Sequence, residues 1–242
     1  MSGKLHDMSA LYAKCHDLLK REGVFRAPNL LIKRLWRLFY RKRTLVLYNA
    51  DLTQQEWWHE TGLPPLHKPK INLSLRRATL DDMGRFAEVV DKRELKKIEH
   101  WFQEGHVCFV ALHNEKIVYY LWACFNESYY ASEIKMSINL SKRDFFVHDV
   151  VTAPGYRGHN IHQAVISMLL TYCIERNCTH LYSLVLPETF RAFQIMYKRA
   201  KFGTIRPIQG ITFTQIFGIK RHNIVDLKGG GHSCWCTEKG IP

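Results

Sequence analysis

The segment Phe145-Phe-Val-His-Asp-Val-Val-Thr-Ala-Pro-Gly-Tyr-Arg-Gly-His-Asn-Ile-His-Gln-Ala-Val165 holds the residue types best suited to binding a charged ligand. A hydrophobic strand runs through Pro154-Gly155 into a turn with Arg157-Gly158, and a helix follows directly. The first N–H groups of a helix have no partner inside it, so such a turn is a natural anion site. Gly158 permits close approach of the backbone, and Arg157 adds a permanent positive charge. The chemistry this predicts is the holding of a phosphate-bearing ligand.

The cysteines point away from metal chemistry. Seven are scattered along the chain, and Cys108, Cys124 and Cys173 sit in apolar runs, where a reduced thiol behaves as a small hydrophobe. Cys234 and Cys236 lie beside His232 with no second pair to complete a zinc site, so no metal is expected. Reduced thiols suit a reducing compartment. The N-terminal Met1 to Leu19 lacks the apolar core of a signal peptide, and no run approaches 18 apolar residues. A cytoplasmic protein without a membrane-spanning helix is expected.

The elements that must hold the loop can be read from pattern. A chain of 242 residues with 46% hydrophobic residues is globular, which excludes a disordered, collagen-like or coiled-coil protein. Leu73–Ala78 reads as a strand, and Thr79 as the cap of a helix reaching about Val90. A second helix spans Arg93–Gln103 and ends at Gly105. Strands follow at 106–112 and 117–125, with a short one at 136–140. Phe145–Thr152 is the strand before the loop, and 159–176 the helix after it. Then come a strand at 181–186, a helix at 188–199 and a last strand at 211–219. Hairpins followed by a strand–helix–strand crossover predict an α/β fold, a mixed sheet with helices on both faces.

Charge is uneven along the chain. Residues 1–43 hold eleven Lys or Arg and three Asp or Glu, a net +8 of the total +13. Within 30–43, Leu31, Ile32, Leu35, Trp36, Leu38 and Phe39 fall on one helical face and Lys33, Arg34, Arg37 and Arg41 on the other. Such a helix suits contact with an anionic membrane surface or polyanion, and equally a helix docked on the main domain with its basic face in solvent. No DNA- or RNA-binding motif accompanies it, so nucleic acid is not an expected partner. Thr44–Tyr48 reads as a short strand, and the Pro-rich 54–70 as a connector. The expected organisation is an N-terminal extension over 1–70, a main domain over 71–222 and a flexible tail over 223–242.

Three segments resemble the GNAT superfamily of acyl-CoA-dependent acyltransferases. Thr152-Ala-Pro-Gly-Tyr-Arg-Gly-His-Asn-Ile-His162 is similar to its motif V-x-P-x-Y-R-G-x-G-I-G. Ala192-Phe-Gln-Ile-Met-Tyr-Lys-Arg-Ala-Lys-Phe202 resembles the helix end A-x-x-x-Y-x-x-x-G-F, and Leu75-Arg-Arg-Ala-Thr-Leu-Asp-Asp-Met83 resembles the opening strand and helix. The resemblance covers roughly 71–222 and implies a mostly antiparallel central sheet flanked by helices. The sequence departs from the motifs at Asn160, His162, Phe193 and Lys201. Asn is the best non-Gly resident of the left-handed region. His162 brings a ring where the family keeps a small residue, and it could either bond phosphate or narrow the site.

The resemblance also implies a mechanism. Acetyl-CoA or another acyl-CoA is the cosubstrate, its pantetheine arm lying along Val150, Val151 and Thr152 and its pyrophosphate on Arg157, Gly158, His159, Asn160, Ile161 and His162. Tyr197 matches the tyrosine that protonates the leaving thiolate. Phe146 stands where many relatives carry a glutamate base; His148 lies two residues on, on the same strand face, and Asp149 on the opposite one. His148 is thus a candidate base or a hydrogen-bonded core histidine, with Glu127 and Glu133 as further options. The acceptor is an amine or hydroxyl on a small molecule, and the basic surroundings suit an acidic one.

Overall fold

The computed structural model describes residues 40–54, 67–189, 193–194, 205–227 and 236–237. Along the chain lie β1 (Tyr40–Asp51), β2 (Ser74–Arg77), helices α1 (Met83–Ala87) and α2 (Lys92–Gln103), β3 (Val107–His113), β4 (Lys116–Cys124), β5 (Ser128–Ala131) and β6 (Met136–Asn139). They are followed by β7 (Asp144–Thr152), helix α3 (Ile161–Glu175), β8 (His180–Val185), β9 (Ile205–Ile216), β10 (Ile219–Asp226) and β11 (Cys236–Thr237). The described residues fall into two compact units, one drawn from 44–211 and 224–237 and one from 40–43 and 212–223.

In the larger unit the sheet runs in the order β1-β8-β7-β4-β3-β2. The β2–β3, β3–β4, β4–β7 and β1–β8 pairs are antiparallel, and β7–β8 is parallel. Its central strand β4 is buried on both faces, which is why Ile117-Val-Tyr-Tyr-Leu-Trp-Ala-Cys124 is a continuous apolar run. Alternate residues sort by face. Tyr119 and Leu121 pack with Phe109, Phe145 and Val147 against Val165 and Leu169 of α3. Tyr120 and Trp122 pack with Cys108 and Val110 against Phe86 of α1 and Ile98 of α2. Strands β5, β6 and β11 form a separate small sheet.

Local sequence explains how α1 and α2 are set on their face. Asp91 caps α2, its carboxylate accepting from the amides of Arg93 and Glu94 at 2.9 and 2.8 Å. Thr79 and Asp82 form a capping box at the turn leading into α1. The Asp82 side chain is only 2% exposed and accepts two 2.7 Å bonds from Arg76 and one of 3.0 Å from Arg85. The Arg76 bond, more than any other contact, holds its carboxyl down at about 2.

Several elements differ from the sequence expectation. Residues 40–43, expected as the end of a basic helix, begin β1, because the β-rich Thr44–Tyr48 run carries extended backbone back to Tyr40. The rest of that helix, 30–39, lies outside the described residues, as do 190–192 and 195–199 of the helix expected at 188–199. Strand β1 comes from the segment before residue 70, yet it pairs with β8 from Val46↔Val185 to Asp51↔His180. The last expected strand is two: a tight turn at Phe217-Gly218, with φ of +47° and +87°, reverses the chain. Across that hairpin in the smaller unit, Phe213 and His222 have ring centroids 5.3 Å apart. Strand β10 then runs on to Asp226, inside the segment expected as a tail.

Candidate functional site

Strands β7 and β8 pair from Asp144↔His180 to Val147↔Ser183 and no further, although β7 continues to Thr152. Beyond Val147 the two part, and Val150 and Val151 are 41% and 39% exposed. The opening therefore lies beside the stretch where the resemblance places the pantetheine.

The cause is local. Trp122 pairs with His148 and Tyr120 with Val151, so Leu121 alone stands opposite Asp149 and Val150. Asp149 is the extra residue of this bulge, with φ of +46°. The bulge overturns the face alternation expected from sequence. His148 packs on Trp101 of α2, and the Asp149 carboxyl is hydrogen-bonded to the Tyr120 hydroxyl and lies near Glu94 and Lys97 of α2. Both side chains thus serve the α2 face of the β4–β7 pair.

On the far side of the bulge the chain enters the turn. Pro154–Tyr156 makes a single 3-10 turn, and the Tyr156 hydroxyl lies 2.9 Å from Nδ1 of His113 at the β3–β4 hairpin. Gly158 has φ of +82° and Asn160, the cap of α3, has φ of +59°. Both occupy the left-handed region, so the Asn that replaces the motif's Gly fits the backbone. Arg157 and Gly158 are exposed, a Cβ on Gly158 would meet nothing within 4 Å, and the His159 carbonyl accepts from the Lys70 amide at 2.9 Å. The first amides of α3, from Ile161 onward, are left free of helical partners at this exposed corner.

His162 does not face that corner. Its ring is buried, with Nδ1 2.7 Å from the Tyr119 hydroxyl, and burial holds it down at about 3, hence neutral. The larger side chain is accommodated because Tyr119 on β4 offers it a partner.

On the α2 face, His148 is 7% exposed and enclosed by Trp101, Trp122 and Tyr129, with ring centroids at 4.7, 6.4 and 4.8 Å. Its Nε2 lies 3.0 Å from Nδ1 of His106. Burial first, and His106 second, push its titration well below the ordinary range, so the ring is neutral. Burial raises the Asp149 carboxyl to about 6. Three buried polar atoms of this face have no protein partner: Trp122 Nε1, His148 Nδ1 and Asp149 Oδ2. Unpaired buried groups are rare in native proteins, and three gathered on one face call for a partner.

Tyr197 lies outside the described residues. Glu127 is exposed, and its carbonyl accepts from the Leu140 amide at 2.8 Å; Glu133 is half-buried in the β5–β6 turn. Sequence reasoning missed the bulge, His106 and strand β5, whose Tyr129 stacks on Phe146 at 4.1 Å. The available signal was the His-Asp pair itself. Two consecutive polar residues in an otherwise apolar buried strand satisfy the pleat only if one of them is bulged.

The profile of the acetyltransferase (GNAT) family matches residues 74–202, more than half of the chain. No curated protein sequence matches. Among solved structures, the aminoglycoside N-acetyltransferase AAC(6')-Iy, in complex with the bisubstrate analog CoA-S-monomethyl-acetylneamine, is 14% identical with a TM-score of 0.44 over 55% of this chain and 92% of that one. A Clostridium acetobutylicum acetyltransferase solved with acetyl-CoA is 17% identical with a TM-score of 0.39, covering 55% and 90%. A Trypanosoma brucei acetyltransferase is 18% identical with a TM-score of 0.39, covering 53% and 90%. With the family profile spanning the opening sheet, the bulged strand and the turn before α3, this chain belongs to the GNAT acetyltransferase family and is an acyl-CoA-dependent acyltransferase.

Proposed function

We propose that the protein acetylates a primary amine whose cationic head seats on the α2 face of the β4–β7 pair, among Tyr120, Trp122, His148 and Asp149. The observation that carries this is the trio of unpartnered buried atoms at the bulge: one N–H donor, one imidazole nitrogen and one carboxylate oxygen. An ammonium group would take the two acceptors, and the rings of Trp101, Trp122 and Tyr129 suit a cation held out of water. Asp149 is largely ionised above pH 6 and supplies the countercharge. The acetyl-CoA arm runs along Val150, Val151 and Thr152, and the pyrophosphate rests on 157–162, which brings the thioester to the bulge.

In this reading Asp149 orients the ammonium, His148 Nδ1 accepts its proton, and the freed amine attacks the thioester carbonyl. Tyr197 returns a proton to the departing thiolate. The buried free thiols Cys108, Cys124, Cys173 and Cys178 support a cytosolic setting. The test is incubation of the full chain with acetyl-CoA and, separately, tyramine, spermidine and glucosamine, following thiol release and product mass. Saturable acetylation of one of them, with its KM raised in Asp149→Asn, supports the reading. Acetyl-CoA binding without acetylation of any of the three would overturn it.

A further inference from the structure

We propose that His148, His106 and Glu104 form a relay that carries the acceptor's proton from the buried site to solvent. The inference rests on the acceptor site proposed above and deepens it, because a neutral histidine walled by Trp101, Trp122 and Tyr129 cannot retain a proton. Nδ1 of His106 lies 3.0 Å from Nε2 of His148, so the two nitrogens share one hydrogen. On its other side, Nε2 of His106 lies 3.7 Å from the Glu104 carboxylate, whose second oxygen is 3.3 Å from Nε2 of His100. The exposures rise in order: the His106 side chain is 4% exposed, that of Glu104 48% and that of His100 64%. The groups come from four places in the chain, namely α2, its C-cap, the residue before β3, and β7.

The charges favour one pair of tautomers. The Glu104 carboxylate, 3.7 Å from His106 Nε2, lies beyond hydrogen-bond distance but its negative charge favours a hydrogen on that nitrogen, which leaves a lone pair at Nδ1. His148 must then donate from Nε2, which leaves Nδ1 as a lone pair; that is the buried atom found without a partner. A purely structural pair would gain nothing from leaving that nitrogen unbonded among aromatic walls.

In the transfer, the ammonium N–H bond breaks as an N–H bond forms at His148 Nδ1. The Nε2–H bond of His148 breaks as one forms at His106 Nδ1. The Nε2–H bond of His106 breaks, and that proton passes to the Glu104 carboxylate and on to water. Both rings exchange tautomers and end neutral, so burial, which disfavours a charged imidazole, does not oppose the step. After product leaves, a proton from water re-enters through Glu104 to His106 Nε2, and His106 Nδ1 returns its hydrogen to His148 Nε2. His148 Nδ1 gives its proton to water entering the vacated site, which restores the resting tautomers.

Two measurements test this. Nitrogen-15 NMR of histidine rings in the unliganded chain is expected to show the Nε2–H tautomer at both His148 and His106, with the His106 preference lost in Glu104→Ala, a substitution at a half-exposed position. His106→Asn places an amide oxygen near the lost Nδ1, so it preserves the acceptor for His148 but cannot hand on a proton. With whichever of tyramine, spermidine or glucosamine the parent acetylates, this variant is expected to lose at least 10-fold in kcat with its KM for acetyl-CoA unchanged. Its proton inventory in mixed H2O and D2O is expected to change from curved to linear. An Nδ1–H tautomer at His148, or parental kcat and a curved inventory in a folded His106→Asn, would overturn the relay. Glu94, Lys97, Glu133, Asp149, Tyr120, Tyr129 and His100 also face this cluster, so the inventory is compared at a single pH on the plateau of each rate profile. If the parent acetylates none of the three amines, the acceptor reading fails and the tautomers alone decide the relay.

Discussion

Replacing Asp149 with Asn should make the protein more stable and less active. The carboxyl is raised on folding from 3.8 to about 6, chiefly because burial disfavours its charge. The folded state therefore binds this proton more tightly than the unfolded chain between those values. Stability falls as pH rises through 3.8 towards 6, and above that the full penalty of about 3 kcal/mol applies, at 1.36 kcal/mol per pH unit. Asn removes the charge and still accepts from the Tyr120 hydroxyl. Its amide N–H2 replaces the unpartnered Oδ2 and returns about 1 kcal/mol of that gain as an unsatisfied donor, leaving about 2 kcal/mol. For a chain of this size that is a rise in Tm of about 4–8 °C above pH 7, shrinking to nothing near pH 4. Scanning calorimetry of parent and variant from pH 4 to 8 reads this directly. Loss of a charged hydrogen bond to the amine should raise its KM about 10- to 100-fold. A variant equal to or less stable than the parent at pH 8, or one whose Tm difference is flat across the range, would refute the reasoning.

Other perturbations have equally definite outcomes. Asp82 is held at about 2, so its contribution is present above 3.8 and is lost as pH falls towards 2. Because Arg76 and Arg85 are 37% and 36% exposed, screening limits it to about 1–2 kcal/mol, and Asp82→Asn should lower Tm at pH 7 by roughly 2–6 °C, with the deficit fading in acid. Tyr119→Phe strips the hydroxyl from His162 Nδ1 and should cost about 1–3 kcal/mol in urea unfolding, evenly from pH 5 to 9, since a ring held at about 3 stays neutral there. Tyr197→Phe should lower kcat by about 10²–10⁴-fold in steady-state assays while leaving acetyl-CoA affinity unchanged, as expected for loss of a general acid.

The fold was legible where a single rule governs a segment. Continuous apolar runs bounded by turn residues marked β3 and β4, and the Asp91 and Thr79 caps marked the starts of α2 and of the turn into α1. The turn before α3 was legible because Gly158 and Asn160 are the residue types that tolerate positive φ, and both have it. What sequence could not supply was tertiary. Nothing local in Thr44–Tyr48 says that it pairs with a strand more than 130 residues on. Nor does His162 announce that its ring turns to Tyr119, a contact 43 residues distant in the chain. The Asp149 bulge depends on register against β4, and it reversed the side on which the carboxylate works. His106 entered the site only through a contact 42 residues away along the chain.

The central claim is that acyl-CoA binds at the turn before α3, and isothermal titration calorimetry of acetyl-CoA into parent and Gly158→Val measures it most directly. Gly158 has φ of +82° and nothing within 4 Å of its Cβ position, so valine meets no neighbour but strains the backbone by about 1–2 kcal/mol and moves the amides that would face the pyrophosphate. The account predicts saturable one-to-one binding in the parent, weakened at least about 10-fold in a variant that still melts cooperatively. Equal affinity in the two proteins, or no binding heat in the parent at any temperature tried, would contradict it.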